Sequence, residues 1–274
     1  MTDYCRFVLA ASKAYDSMAP ILAEALRRTK TCHVLDLASG AAGPWVGLQP
    51  LLRSMGVDVS VCLTDHCPNV EAFERAHRLT QQAITYYRQP VDAAQVPSEL
   101  SGFRTIFTAF HHFRPNQARA VLADAVAKEA GIGVFECAER SLLMLFLVAI
   151  VTPIRVLVVT PFIRPFRWSR LFWTYLIPVI PIVLWFDSIV SVLRVYSVEE
   201  LSDLTVGLNS YRWDIGRVRS RRLPITVTYL VGVPGPKHNH GPLHTQAPVE
   251  APENHSGIET AHHQGGHGET PGQG

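Results

Sequence analysis

Charge is scarce in this chain: only 18% of its 274 residues are Asp, Glu, Lys or Arg. Lys and Arg form no run long enough to track a nucleic acid backbone, so no nucleic acid partner is expected. One Lys against four Glu after Pro236 gives that end a net −3, which leaves +5 of the formal +2 on residues 1–236. The clusters Arg164/Arg167/Arg170 and Arg217/Arg219/Arg221/Arg222 suit phospholipid head groups better. Cysteine is sparse too. Cys5, Cys32, Cys62, Cys67 and Cys137 are odd in number and scattered, which excludes a disulfide framework and fits a reducing cytosol. Cys62, His66 and Cys67 lack a fourth ligand, so no metal site is expected. The first residues lack a continuous apolar core, being interrupted by Asp3, Arg6, Lys13 and Asp16, and no signal peptide is expected. Large apolar residues nearly vanish in residues 236–274. That stretch holds seven of the twelve histidines and has the composition of a disordered tail, with loose metal binding as an alternative use.

What is present is an alternation of strand and helix signals. Apolar residues recur at helical intervals on either side of Pro20, predicting two short helices over residues 3–29. Strands are predicted over His33–Leu37, Val57–Thr64, Ile84–Tyr87, Phe103–Phe110 and Ile132–Cys137. The helices between them run to about Met55, over Asn69–Gln82 and over Pro115–Ala130. After an apolar interruption, Ser197 and Glu200 form a capping-box signature, and Tyr211–Val218 and Ile225–Val231 read as a closing hairpin. The pattern predicts an α/β fold: seven strands with helices on both faces and an apolar helical insertion between strands five and six. The divisions are N-terminal helices 1–30, a main domain 31–140 plus 196–235, the insertion 141–195 and the tail 236–274.

In an open α/β sheet, ligands bind at the carboxyl ends of the strands. The run HVLDLASGAAGPWV, His33 to Val46, puts Asp36 and a small-residue turn with Gly40 and Gly43 at such an end, where glycine lets a ligand approach the backbone. Asp65 follows strand two, Asp92 strand three, and His111 and His112 strand four. This arrangement resembles the class I S-adenosylmethionine-dependent methyltransferases over residues 30–140 and 196–233. The resemblance implies a Rossmann-like methyltransferase sheet and S-adenosylmethionine as cofactor. It places the turn Asp36-Leu37-Ala38-Ser39-Gly40-Ala41-Ala42-Gly43 against the amino-acid and ribose parts of the cofactor, Asp65 on the ribose hydroxyls and Asp92 at the adenine amino group. A nicotinamide-dinucleotide oxidoreductase also wants an acid after strand two, but it wants G-x-G-x-x-G, and Ala38 stands at the first glycine position.

Methyl transfer needs alignment and, for an OH or NH acceptor, a base. His111 and His112 stand where an acceptor would approach, either as that base or as a pair that only packs. Glu136 and Glu139, after strand five, are acceptor-orienting groups or solvated loop residues. Ala109-Phe110-His111-His112 replaces the Asn-Pro-Pro-aromatic tetrapeptide of amino-methylating DNA enzymes, and Cys67-Pro68 follows strand two in the wrong order for a cytosine-C5 nucleophile. A small or lipid-like acceptor is the expectation, with a non-catalytic membrane-anchored binding protein as the other alternative.

Leu142–Ile163 and Phe172–Leu193 each approach the ~20 apolar residues that cross a bilayer. Two spans would put Arg164, Arg167 and Arg170 on the far side, against the positive-inside tendency. Five prolines divide the stretch, and Val151–Arg155 and Val159–Arg164 read as helices restarting at Thr-Pro caps. A re-entrant or interfacial helical pair is therefore expected, with membrane contact through residues 142–193 and Trp168, Trp173 and Trp185 near head groups. The location is then the cytoplasmic side of a membrane, or the cytoplasm if the insertion is a soluble lid.

Overall fold

A computed structural model describes residues 14–163, 166–220 and 226–235, all within one compact unit. The start of the expected N-terminal helices, the tail 236–274, and Arg164, Arg221 and Arg222 lie outside the described residues. A 3-10 turn, Ala14–Met18, runs directly into α1 (Ala19–Thr29). Pro20 stands in the first turn of α1, where its missing N–H would have no partner anyway.

The core of the fold alternates β1 (His33–Asp36), α2 (Trp45–Ser54), β2 (Ser60–Leu63), α3 (Val70–Leu79), β3 (Ile84–Tyr86), β4 (Phe103–Phe107), α4 (Pro115–Ala127) and β5 (Ile132–Glu136). Following the insertion come α8 (Val198–Thr205), β6 (Tyr211–Arg219) and β7 (Thr226–Pro234). The seven strands form one sheet in the order β3-β2-β1-β4-β5-β7-β6. Strands β1 to β5 are parallel, and β7 enters antiparallel between β5 and β6.

Both faces of the sheet are covered, so successive residues of one strand serve two cores. Val34, Phe103 and Phe135 pack with Leu22, Trp45 and Phe73 of α1, α2 and α3. Their neighbours Leu35, Ile106 and Val134 pack with Val121 and Leu122 of α4 and Leu201 of α8. Arg104 of β4 is the exception in this apolar setting: it is buried and pairs with Asp124 of α4 at 2.7 Å, which also receives Lys128 at 2.7 Å. Burial alone would raise the Asp124 pKa, but the hydrogen bonds from Lys128 and Arg104 bring it below its ordinary value.

The insertion holds α5 (Leu142–Val159), the short α6 (Trp168–Leu171) and α7 (Val179–Arg194). The expected restart at Thr152-Pro153 does not occur, for α5 passes through Pro153 unbroken. A proline frees the carbonyl four residues earlier, here that of Ala149, and the Trp185 indole N–H donates to it at 2.8 Å. The second Thr-Pro pair does restart the chain, as a 3-10 turn Thr160–Phe162. The carbonyl that Pro161 frees, that of Leu157, accepts the Tyr175 hydroxyl. Two aromatic donors from one arm thus mend the proline defects of the other. Phe172–Leu193 is not a straight span either: a π turn at Phe172–Leu176 and Pro178 bend it by 77° from Trp168–Leu176 into α7.

Candidate functional site

The carboxyl ends of β1, β2, β4 and β5 lie side by side on one edge of the sheet. The turn after β1 is tightly coiled, with Ala38, Gly40, Ala42 and Gly43 at φ +53°, +55°, +78° and +49°. Alanine in that left-handed region costs about 1 kcal/mol, so the turn is held against its own preference. What holds it is β2. Ser39 N–H donates to the Thr64 carbonyl at 2.9 Å, Thr64 N–H donates to the Asp36 carbonyl at 2.8 Å, and the hydroxyls of both Ser39 and Thr64 donate to that carbonyl at 2.9 Å. At Gly40 an added Cβ would meet nothing within 4 Å, so the turn presents bare backbone to open space.

Asp36 sits behind this turn, fully buried, with its Oδ1 accepting the Thr105 hydroxyl at 2.6 Å. Burial raises its pKa from 3.8 to about 6, against the lowering effect of its hydrogen bonds. Asp65, just beyond β2, accepts Gly40 N–H at 2.8 Å on one oxygen and Cys67 N–H at 2.8 Å on the other. Its backbone carbonyl receives Val91 N–H at 2.9 Å, which ties the loop after β3 to the same edge. Asp92 on that loop is exposed, and its carboxylate caps Ala94 N–H at 2.8 Å.

The second half of the edge differs from the sequence expectation. Strand β4 ends at Phe107 rather than Phe110, because Thr108 takes φ +48° and the chain coils into a 3-10 turn at Phe110–His112. His111 is consequently buried, at 4% exposure, while His112 beside it is exposed, the ring centroids being 4.3 Å apart. Glu136 is not a solvated loop residue. It is the last residue of β5, only 2% exposed, and it organises the whole turn. Its Oε1 accepts the backbone N–H of Phe110 at 2.7 Å and of His111 at 3.2 Å, and its Oε2 lies 2.9 Å from His111 Nδ1. Since a carboxylate only accepts, Nδ1 carries a proton, and in the neutral imidazole Nε2 is then the acceptor nitrogen. That Nε2 is buried and has no partner. The His112 pKa lies below its ordinary value, first because of burial and then because of His111.

Sequence reasoning passed over Tyr15, whose buried hydroxyl binds Thr108 Oγ1 and, at 3.4 Å, the Phe135 carbonyl. Its only signal was a tyrosine in an apolar helical pattern. Cys137 next to it has its thiol pKa pushed up to about 12 by burial, which leaves it without thiolate character at neutral pH. A cleft of about 340 Å³ opens beside Gly43, among Tyr15, Ala42, Leu48 and Ala72, away from the acids and histidines of the edge. Glu139 lies off the edge, its carboxylate 3.5 Å from Arg217. Among the described residues, no three His, Cys, Asp or Glu side chains group to hold a metal.

No family model and no curated protein matches the sequence. Solved structures do. The plantazolicin methyltransferase in complex with SAH aligns over 85% of this chain and 88% of its own, at TM-score 0.50 and 10% identity. The methyltransferase domain of bacterial CtHen1-C aligns over 81% and 100%, at 0.46 and 12%. Mitomycin 7-O-methyltransferase aligns over 79% and 53%, at 0.46 and 13%. The chain spans about half the length of several such structures, 53% of that last one and 46% of a citrinin polyketide synthase CMeT domain. A dinucleotide-binding sheet runs parallel through its sixth strand, whereas here β7 enters antiparallel beside β5. By its strand order and by its superposition, the chain has the class I, Rossmann-like methyltransferase fold.

Proposed function

We propose that this protein is an S-adenosylmethionine-dependent methyltransferase that acts at a membrane surface on a small or lipid-like acceptor. The observation that carries this reading is the pairing, on one sheet edge, of an open glycine turn and its acid with a buried Glu136–His111 dyad whose Nε2 is free. The residues fit the cofactor. Gly40 offers bare backbone in open space, Asp65 has further lone pairs for ribose hydroxyls beside the two it already commits, and Asp92 stands exposed on the neighbouring loop for the adenine amino group. The buried Asp36 carboxylate lends the turn a negative field that favours a cationic ligand.

When bound, S-adenosylmethionine supplies a methyl group from a sulfonium, whose sulfur keeps the electron pair of the broken bond. His111 Nε2 accepts the proton of the acceptor's O–H or N–H as the new bond to carbon forms. Glu136 fixes the imidazole in the tautomer that leaves Nε2 free, and it steadies the imidazolium that results.

The insertion supports the membrane part of this reading. All but three of the exposed large apolar side chains among the described residues lie between Leu142 and Leu193, with Leu142 at 85% and Trp168 at 78% exposure. An apolar surface of that extent needs a cover, and a lipid surface suits a bent helical pair carrying tryptophans. Calorimetry on the full chain should show binding of S-adenosylmethionine and none of NAD(H). Asp65→Ala should weaken the former by about tenfold, the worth of one charged hydrogen-bonding partner. Failure to bind S-adenosylmethionine would overturn the reading, and an unchanged affinity in the variant would remove Asp65 from the site.

A further inference from the structure

Asp187 is the sole acidic residue between Glu139 and Glu199, and it stands in the apolar helix α7. Ser191 and Arg194 follow at one and two turns, so the three share about 60° of arc on a helix that is otherwise apolar but for Ser188. Among the described residues, no hydrogen bond or ion pair engages Asp187 or Arg194. Yet α7 packs against the Phe110–His112 turn, and both charges are felt at His112, Asp187 raising and Arg194 lowering its pKa. The contact is fastened at its far end. Tyr196 donates its hydroxyl to the Phe113 carbonyl at 2.7 Å, and its ring lies 5.6 Å from that of Phe110. Among the described residues, the buried Nε2 of His111, in the same turn, also lacks a partner.

Asp187 and Ser191 are half-buried and Arg194 is exposed, so with no partner in the described fold all three are open to a ligand that comes against this side of α7. We propose that the Asp187–Ser191–Arg194 stripe of α7, set against the His111–His112 turn, binds the polar end of a hydroxylated amphiphile whose apolar tail lies along the exposed flank of the insertion. This inference rests on the methyl-transfer reading and names its acceptor. The acceptor hydroxyl accepts a hydrogen bond from Arg194 and donates its one hydrogen to Asp187 on binding, turning it to His111 Nε2 as the bond to carbon forms. The tail continues toward Ile182, Val183 and Phe186, all exposed. Asp187 and Arg194 are specificity residues in this scheme, and His111 takes the proton.

The test uses the full chain in detergent with three probes: 4-pentylphenol, phenol without the tail, and pentylbenzene without the hydroxyl. Calorimetry should rank 4-pentylphenol first. Asp187→Asn and Arg194→Gln should each weaken it by about tenfold or more, toward pentylbenzene, because a lost polar partner is what separates the two probes. S-adenosylmethionine affinity should stay the same in both variants, which also reports that they fold. NMR titration of the His112 imidazole adds a readout independent of turnover, with a midpoint lower in Asp187→Asn and higher in Arg194→Gln. Equal binding of 4-pentylphenol and pentylbenzene, or His112 midpoints that neither variant moves, would overturn the proposal. Asp187-dependent binding of 4-pentylphenol by a chain that ignores S-adenosylmethionine would support this site while sinking the methyl-transfer reading.

Discussion

Among individual residues, Asp36 and His111 show how burial changes what a side chain can do. The Asp36 pKa, raised to about 6 from 3.8, means that the folded chain without ligand binds a proton more tightly than the unfolded one. Its favourable contribution is therefore complete below about pH 4 and lost as pH rises through 6, a difference of about 3 kcal/mol. Asp36→Asn should remove that slope: in urea unfolding, the variant should gain on the parent between pH 4 and pH 7, and parallel curves would refute the assignment. Restoring a buried negative charge should in turn favour a cationic ligand above pH 6. His111 is legible in the sequence only as one of two adjacent histidines. The structure separates them, since one imidazole is held by Glu136 and buried while the other is exposed. His111→Ala should slow methyl transfer to 4-pentylphenol by about 10² to 10⁴, the range for a lost general base. His112→Ala should cost far less, and a reversed order would exchange the roles.

Secondary-structure elements were legible where local chemistry decides them. Ser197 and Glu200 cap α8 in both directions, with Ser197 Oγ accepting Glu200 N–H at 3.2 Å and the Glu200 carboxylate accepting Ser197 N–H at 2.8 Å. Asn69 likewise caps α3 through Ala72 N–H at 3.2 Å. The insertion was not legible in the same way, because its prolines act through partners distant in sequence. Pro153 ought to break a helix, and α5 persists because Trp185, 36 residues beyond Ala149, occupies the Ala149 carbonyl that Pro153 leaves free. Trp185→Phe keeps the ring and removes the N–H. It should destabilise the hairpin by about 1 to 3 kcal/mol, the cost of an orphaned carbonyl, and raise amide hydrogen exchange along α5. Unchanged protection there would show that the helix does not depend on this bond.

For the molecule as a whole, the question is what covers the insertion. Its exposed large apolar side chains run from Leu142 to Leu193, and only 11% of the most apolar window of Leu142–Phe162 is buried. On a vesicle flotation gradient the full chain should rise with the lipid. Replacing Leu142, Leu143 and Phe146 by Ser should leave it at the bottom with S-adenosylmethionine binding intact. A parent chain that stays at the bottom, monomeric or self-associated, would assign that surface to a lid or to a second copy.

The sequence alone determined the α/β alternation, the glycine turn with Asp65 beyond the next strand, the Ser197–Glu200 capping box and the closing hairpin. Each of these rests on periodicity or on hydrogen bonds between residues a few positions apart. Tertiary structure alone decided that β7 enters between β5 and β6, that β4 stops at Phe107, that Glu136 turns inward to hold His111, and that Asp187 lies on the helix packed beside them. These depend on contacts across 25 residues or more, and no local pattern records which distant donor will meet a buried carboxylate or a carbonyl that proline has freed.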